Sequence, residues 1–189
     1  MFSLISRAIL FLLGWKIEGQ YPHHIPKKIL VVYPHTSNWD FPLGILVRTA
    51  SKAKIQFIGK NSLFRPPYGF IFRGLGGVPV DRTKSNQFVD NMVETYNNRE
   101  RFTTVIAPEG TRKKVDRLKT GFYYIAVGAK IPMILTQFDF ERKVVRYGEP
   151  FYPSGDKEKD FEFIFDYFRG IKGKYPELAF TIPEKNSRD

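Results

Sequence analysis

A layered α/β domain built on a mostly parallel sheet is the fold that this sequence predicts. Short apolar runs rich in β-branched residues alternate with longer segments whose apolar residues recur at helical spacing. This β-then-α order is typical of a central sheet flanked by helices. The 189 residues, 42% of them hydrophobic and 16% aromatic, fit one domain with a packed core. No serine- or glycine-rich linker divides the chain, so we expect a single domain.

The first 20 residues predict a short amphipathic helix that lies in a membrane surface. Their uninterrupted apolar run, residues 8–15, is far shorter than the about 20 residues that cross a bilayer. No cleavage site of a signal peptide follows it, and Trp15 with Lys16 is typical of a membrane–water interface. The alternative is a first helix packed on the core. We therefore expect a surface helix in residues 1–20 and the main domain in residues 21–189.

The first half of the main domain predicts three strands and one helix. Residues 29–33 form a β-branched run that predicts a buried strand. Residues 37–51 then predict a helix, because turn-forming and capping residues lead into a longer apolar segment. Residues 55–58 and 78–80 are two further short apolar runs and predict strands.

The second half continues the alternation. Residues 86–101 predict a helix because their apolar residues recur every three or four positions. Residues 103–107 predict a strand, residues 120–130 a helix and residues 131–137 another strand. Residues 156–170 predict an amphipathic helix whose phenylalanines share one face. In such a sheet, functional sites form beyond the carboxyl ends of the strands.

Composition narrows the classes of partner. The net charge of +11 predicts an anionic partner, which includes nucleic acid, anionic lipid headgroups and phosphorylated metabolites. The 18 phenylalanines favour an apolar ligand or a membrane face. The absence of cysteine excludes disulfides, zinc–thiolate sites and thiol nucleophiles, and it suits a reducing compartment.

His35 and Asp40 form the candidate catalytic pair. A five-residue offset places two side chains on different faces of a regular helix or strand, so they meet only if the backbone turns between them. Ser37-x-x-Asp40 resembles a capping box and supplies such a turn. Asp40 would then orient the imidazole as a base, and the substrate would bring the nucleophile. The alternative is that Asp40 merely caps the helix and His35 is a loop residue.

The other histidines and the glycine-rich segment carry weaker signals. His23 and His24 lie beside prolines without metal-ligand spacing, which favours an exposed loop. Residues 76–82 combine a glycine-rich turn, a short strand and Asp-Arg, which makes this segment a candidate functional motif. The alternative is an ordinary β-turn with a surface ion pair.

Residues 108–112, Pro-Glu-Gly-Thr-Arg, directly follow a predicted strand. Gly110 allows an unusual backbone geometry, Thr111 offers a hydroxyl and Arg112 a planar guanidinium, a combination that can hold a phosphate. Glu109 is a candidate to orient an arginine or bind a substrate hydroxyl. Neither residues 76–82 nor residues 108–112 match a nucleotide-binding loop.

Together these segments resemble the glycerophospholipid acyltransferase family, in particular its 1-acyl-glycerol-3-phosphate acyltransferase group. Its four motifs are matched, in order, by His35 with Asp40, by residues 77–82, by residues 108–112 and by the apolar-proline strand at residues 131–134. Their order and spacing agree over about residues 28–140. Four ordered motifs are far more specific than any one of them.

The resemblance implies transfer of a fatty acyl group from acyl-CoA or acyl carrier protein to the hydroxyl of a lysophospholipid, in membrane lipid synthesis. It implies that His35 deprotonates the acceptor and that Asp40 orients His35. The residues that it assigns to the acceptor are Lys60, Arg82, Glu109, Gly110, Thr111 and Arg112. This chemistry requires no metal and no cofactor. The expected location is peripheral, at the cytoplasmic face of an anionic membrane.

Two departures from the family pattern bear on the acceptor. Of the family's Lys-Lys-Glu-Leu segment only Lys60 and Leu63 are kept, and the fourth motif lacks its second proline. Related enzymes acylate lyso-amino-acid lipids, so this acceptor is an alternative. A non-catalytic lipid-binding or nucleic-acid-binding module is an alternative of another class. No RNA-binding signature supports the latter, so we expect no nucleic-acid partner.

Overall fold

The computed structural model describes residues 2–80 and 85–184, which form a seven-stranded sheet with helices on both faces. The strands are β1 (Lys16–Glu18), β2 (Lys27–Tyr33), β3 (Gln56–Lys60), β4 (Gly77–Val80), β5 (Phe102–Ile106), β6 (Met133–Asp139) and β7 (Val144–Phe151). The helices are α1 (Phe2–Leu12), α2 (Asp40–Ala50), α3 (Gly69–Gly74), α4 (Ser85–Asn97), α5 (Gly121–Ala129) and α6 (Lys157–Phe168).

The sheet is mostly parallel, which confirms the predicted fold class. Its strand order is β1-β7-β6-β2-β5-β3-β4. From β6 to β4 all neighbouring strands are parallel, whereas β7 runs antiparallel to β6. The carboxyl ends of β2, β3, β4 and β5 therefore meet at one edge of the sheet, where His35 with Asp40 follows β2 and residues 108–112 follow β5.

The core lies on both sides of β2, the central strand, which is buried from its second residue onward. Ile29 and Val31 pack with apolar residues of α4, α5 and α6 on one face. Leu30 and Val32 pack with α1 and α2 on the other face. This alternation follows from the two-residue period of a strand, and burial on both faces explains why the run is apolar throughout.

The structure differs from the sequence prediction at helices α2 and α3 and at strands β1 and β7, and α3 was not among the predicted helices. The helix predicted from residue 37 begins at Asp40, because residues 34–37 form an irregular connection before it. Strands β1 and β7 were not predicted. β1 has only three residues, and β7 contains glycine, proline and charged residues that are uncommon in isolated strand patterns. Their pairing with the sheet, rather than their composition, makes them strands.

Helix α1 packs on α2 along one face and exposes apolar residues on the other. Ser6 and Leu10 are buried, and the side chains of Ser3 and Arg7 donate hydrogen bonds to the Ala50 carbonyl at 3.0 and 3.2 Å. Its exposed apolar side chains include Phe2, Leu4, Phe11 and Leu12, each more than 70% exposed. Within the described ranges, every helix is too short or too polar to span a bilayer. After α1, residues 16–18 already belong to the sheet.

Lys28 is a buried cation at the amino end of β2. It is 2% exposed, its Nζ donates to the Ile25 carbonyl at 2.6 Å, and it lies 4.5 Å from the centroid of the Tyr21 ring. No carboxylate in residues 2–80 or 85–184 forms an ion pair with it. Burial, and then the nearby Arg101, lowers the pKa of Lys28 to about 8.

We predict that Lys28→Met raises the free energy of unfolding at pH 7 by about 1–3 kcal/mol, because the native state no longer holds a desolvated charge. Between pH 8 and the ordinary lysine pKa, the unfolded state binds a proton that the native state does not, so wild-type stability rises with pH there. Urea unfolding from pH 7 to 10 should show that this rise is smaller in Lys28→Met. Lys27→Met, on the same strand but only half-buried, is the control. Equal pH slopes in Lys28→Met and wild type would contradict the prediction.

Candidate active site

His35 and Asp40 meet at the carboxyl end of β2. His35 lies two residues after the strand, and Asp40 is the first residue of α2. The His35 Nδ1 and Asp40 Oδ2 atoms are 2.9 Å apart. The His35 side chain is 24% exposed, whereas that of Asp40 is 3% exposed. Since Nδ1 is occupied by Asp40, the Nε2 atom is the one available to a substrate.

The turn that brings the pair together is stabilised by its own polar groups. The Ser37 backbone N–H donates to Asp40 Oδ2 at 3.0 Å, which is the acidic half of a capping box. In a regular capping box, the Ser37 hydroxyl would accept from the backbone N–H of residue 40. Here it accepts from the Trp39 backbone N–H at 3.1 Å, one residue earlier. Asp40 therefore caps the turn and orients the histidine at once, and the two sequence interpretations are not exclusive.

Glu109 is buried behind the histidine loop. It is 1% exposed, and its two carboxylate oxygens accept from two distant backbone N–H groups. Oε2 accepts from His35 at 2.5 Å, and Oε1 accepts from Phe180 at 3.1 Å. Burial raises the pKa of Glu109, while the hydrogen bonds from Phe180 and His35 oppose the rise. Glu109 thus holds the backbone of the candidate base, and its contact with a substrate headgroup stays a prediction.

The rest of the Pro-Glu-Gly-Thr-Arg segment forms an exposed turn. Gly110 has a φ of +66°, and its backbone N–H donates to the Ala107 carbonyl at 3.0 Å. A Cβ at this position would lie 2.9 Å from the Lys119 side chain, so glycine suits both the backbone and the space. Thr111 and Arg112 are exposed. Arg112 forms no ion pair or side-chain hydrogen bond within residues 2–80 and 85–184, so its guanidinium is available to an anion.

Lys60 belongs to β3, and Arg82 follows β4 by two residues in the sequence. Lys60 is the last residue of β3 and pairs in register with Val80, the last residue of β4. The Lys60 side chain is outside what the structure describes, and Arg82 lies outside the described residues. The carboxyl ends of β3 and β4 lie at the same edge of the sheet as His35 and Glu109.

Comparison with known proteins identifies the family. The family model described as Acyltransferase matches residues 16–135, which include every candidate site residue. The chain belongs to the Acyltransferase family. No curated protein matches the chain.

The acyltransferase fold also resembles a solved structure, that of the 1-acyl-sn-glycerophosphate (LPA) acyltransferase PlsC from Thermotoga maritima. The two chains are 20% identical, with a TM-score of 0.60, and the match covers 88% of this chain and 74% of that one. At this identity the likeness shows a common fold.

Sequence analysis missed the contribution of the C-terminal segment to the acyltransferase site. Phe180 donates to Glu109, and the Tyr175 backbone N–H donates to Thr36 Oγ1 at 3.2 Å. The Nζ of Lys174 lies 4.8 Å from the centroid of the exposed Trp39 ring. Backbone donors leave no signature in a sequence, so no local pattern could have identified these contacts.

We predict that Glu109→Gln lowers kcat by about tenfold or more. The amide NH₂ of glutamine cannot accept a hydrogen bond, so one of the two backbone N–H donors loses its partner and the His35 loop is held less firmly. In wild type, the raised pKa means that the native state holds the Glu109 proton longer than the unfolded state. Its contribution to stability is therefore present below the ordinary glutamate pKa and lost as pH rises through the folded pKa.

Urea unfolding across pH 4–7 should show this loss in wild type and not in Glu109→Gln. The matched control is Glu162→Gln, an exposed glutamate on α6, which should keep both the wild-type kcat and the wild-type pH slope. A Glu109→Gln enzyme with wild-type turnover would contradict the positioning of His35 by Glu109.

Proposed function

We propose that this acyltransferase moves a fatty acyl group from acyl-CoA or acyl carrier protein to the hydroxyl of a lysophospholipid of the 1-acyl-glycerol-3-phosphate type. The observation that carries the proposal is the contact between His35 Nδ1 and buried Asp40 Oδ2, which leaves Nε2 accessible. The proposed site pairs a base with its orienting carboxylate, and within residues 2–80 and 85–184 no hydroxyl or thiol side chain hydrogen-bonds to His35 as a nucleophile would. An acceptor that brings its own hydroxyl completes it.

In the proposed reaction, His35 Nε2 removes the proton of the acceptor hydroxyl as its oxygen attacks the thioester carbonyl carbon. The tetrahedral intermediate then collapses with cleavage of the carbon–sulfur bond, and the imidazolium returns the proton to the thiolate. The products are an ester and a free thiol. Asp40 stabilises the imidazolium, and general-base catalysis of this kind contributes about 10²- to 10⁴-fold in rate.

The acceptor phosphate would bind at the same sheet edge. Arg112 is exposed and has no side-chain partner in the part of the chain that the structure describes, and Gly110 and Thr111 present a turn beside it. Lys60, the last residue of β3, and Arg82, two residues after β4 in the sequence, are proposed to complete the anion site. Their combined positive charge suits a phosphate, and a guanidinium binds it with two parallel hydrogen bonds. The carboxylate of a lyso-amino-acid lipid is the alternative anion.

An aromatic cluster beside Asp40 suits the acyl chain. Phe41 follows Asp40 directly, and its ring centroid lies 5.2 Å from that of Phe57 and 6.2 Å from that of Phe72. All three side chains are half-buried, so part of the cluster is accessible from solvent. Burial of an acyl chain against such a surface contributes about 0.8 kcal/mol for each methylene.

The proposed membrane contact uses α1. Phe11 and Leu12 are each 81% exposed, whereas Leu10 of the same helix holds it against the domain. An apolar face of this kind, on a protein of net charge +11, suits an anionic bilayer surface. We propose a peripheral enzyme at the cytoplasmic face, where both a soluble thioester and a membrane lyso-lipid are accessible.

We predict that purified protein releases free thiol from acyl-CoA or acyl carrier protein only when a lyso-lipid is present, with an equal amount of diacyl lipid formed. His35→Ala should lower kcat by about 10³-fold, and Asp40→Asn by about 10²-fold or more. His24→Ala, an exposed histidine outside the site, is the control. Full turnover by His35→Ala would show that the assigned base is wrong.

The same assay distinguishes the acceptors. Lysophosphatidic acid and a lyso-amino-acid lipid of equal chain length should be compared at equal vesicle density. With lysophosphatidic acid as the acceptor, Arg112→Ala should raise KM by a larger factor than it lowers kcat. Vesicle binding without thioester cleavage under any condition would favour a non-catalytic lipid-binding protein.

We predict that Phe11→Ser combined with Leu12→Ser lowers sedimentation with anionic vesicles by about tenfold or more, because two apolar side chains no longer enter the bilayer. Thermal unfolding should be unchanged, since both side chains are exposed. Tyr152→Ser, which removes a 61% exposed aromatic side chain after β7, is the control. Equal sedimentation of the double variant and wild type would contradict a membrane contact through α1.

A further inference from the structure

The segment after α6 crosses the site edge of the sheet. We call residues 172–181 the C-terminal strap. It starts where the Lys172 carbonyl accepts from the Phe140 backbone N–H at 2.8 Å, just beyond β6. It lies outside the part of the chain that the family model matches, residues 16–135. The strap therefore contains none of the four family motifs, and its contacts with the histidine loop come from outside them.

The first contact of the strap is with the residue after His35. The Thr36 side chain is 2% exposed, and its Oγ1 accepts from the Tyr175 backbone N–H at 3.2 Å. Gly173 packs so closely on it that a Cβ there would lie 2.5 Å from Thr36 Oγ1 and 3.0 Å from its Cγ2. The strap thus fits against Thr36 with no space for a larger residue.

The second contact is with Glu109 and with the strand end before His35. The Phe180 backbone N–H donates to Glu109 Oε1 at 3.1 Å, and the Phe180 carbonyl accepts from the Tyr33 hydroxyl at 2.7 Å. Tyr33 is the last residue of β2. The Lys114 Nζ fixes the same part of the strap by donating to the Ala179 carbonyl and the Thr181 hydroxyl, at 2.5 and 2.8 Å.

We propose that the C-terminal strap is a positioning element of the active site, which holds the His35 loop through Thr36, Tyr33 and Glu109. Its contacts lie on both sides of His35: Tyr33 precedes it by two residues, Thr36 follows it, and Glu109 binds its backbone N–H. Within the loop, Asp40 and Ser37 hold the turn after His35, whereas the backbone N–H of His35 itself is bound from outside by Glu109. The outside contacts therefore act together with the turn to fix where the imidazole points. The inference rests on the proposed function, in which His35 is the base.

A positioning role differs measurably from mere structural support. A misplacement of about 1 Å at a reacting group lowers the rate by about 100-fold even when the protein remains folded. Loss of a strap contact should therefore lower kcat far below the unfolding temperature and leave the KM of both substrates nearly unchanged. A purely structural contact would lower the unfolding temperature alone.

The test compares Thr36→Val with Thr36→Ser. Valine keeps the shape of threonine but removes the acceptor for the Tyr175 N–H, whereas serine keeps the acceptor. Thr36→Val should lower kcat by about 10- to 100-fold, and Thr36→Ser should recover most of that loss. Gly173→Ala, which forces the strap away from Thr36, should lower kcat similarly. Its control is Gly74→Ala at the end of α3, where a Cβ meets nothing within 4 Å.

A second measurement needs no substrate. The imidazole ¹H–¹⁵N resonances of the three histidines can be recorded in each folded variant. Those of His35 should shift in Thr36→Val and Gly173→Ala and return towards wild type in Thr36→Ser. The imidazole resonances of the exposed His23 and His24 should not shift. If wild type shows no acyl transfer, the proposed function fails, but the His35 resonances still test the strap.

Unchanged His35 resonances in both Thr36→Val and Gly173→Ala would overturn the proposal, whatever the change in kcat or in the unfolding temperature. Equal resonance shifts in Thr36→Val and Thr36→Ser would also overturn it, since the acceptor oxygen would then be irrelevant. A shift of the His35 resonances in Thr36→Val that Thr36→Ser reverses supports the proposal.

Discussion

The buried carboxylate of Glu109 is the interaction on which the site depends. A glutamate that is 1% exposed is costly to keep charged, so both of its oxygens require donors. The donors come from His35 after β2 and from Phe180 near the C-terminus. One desolvated group therefore joins three parts of the chain that are far apart in sequence, and it fixes the backbone of the candidate base.

The parallel sheet makes this junction possible. Because β2 and β5 are adjacent and parallel, the segments after them leave the sheet at the same edge. Asp40 and Glu109 are buried beneath that edge, whereas His35 is partly exposed and Arg112 is exposed. The buried acids fix the geometry of the loop, and the imidazole of His35 and the guanidinium of Arg112 are accessible from solvent.

Much of the site was predictable because its signals are local. The His35–Asp40 spacing requires a turn, Ser37 favours one, and the structure places the two side chains 2.9 Å apart. The apolar run of β2 is equally direct, since burial on both faces requires apolar residues at successive positions. By contrast, β1 and β7 depend on neighbouring strands, and the buried position of Glu109 depends on backbone groups supplied by other segments.

The sequence by itself determined the α/β class, the ordered motifs and the exposed apolar character of the first helix, because each depends on residue type and short spacing. Tertiary structure alone decided that Glu109 holds the His35 loop and that the C-terminal strap contacts Thr36 and Tyr33. The physical reason is that most of these contacts use backbone N–H and carbonyl groups. Every residue type except proline offers the same two groups, so only the folded chain specifies which of them meet.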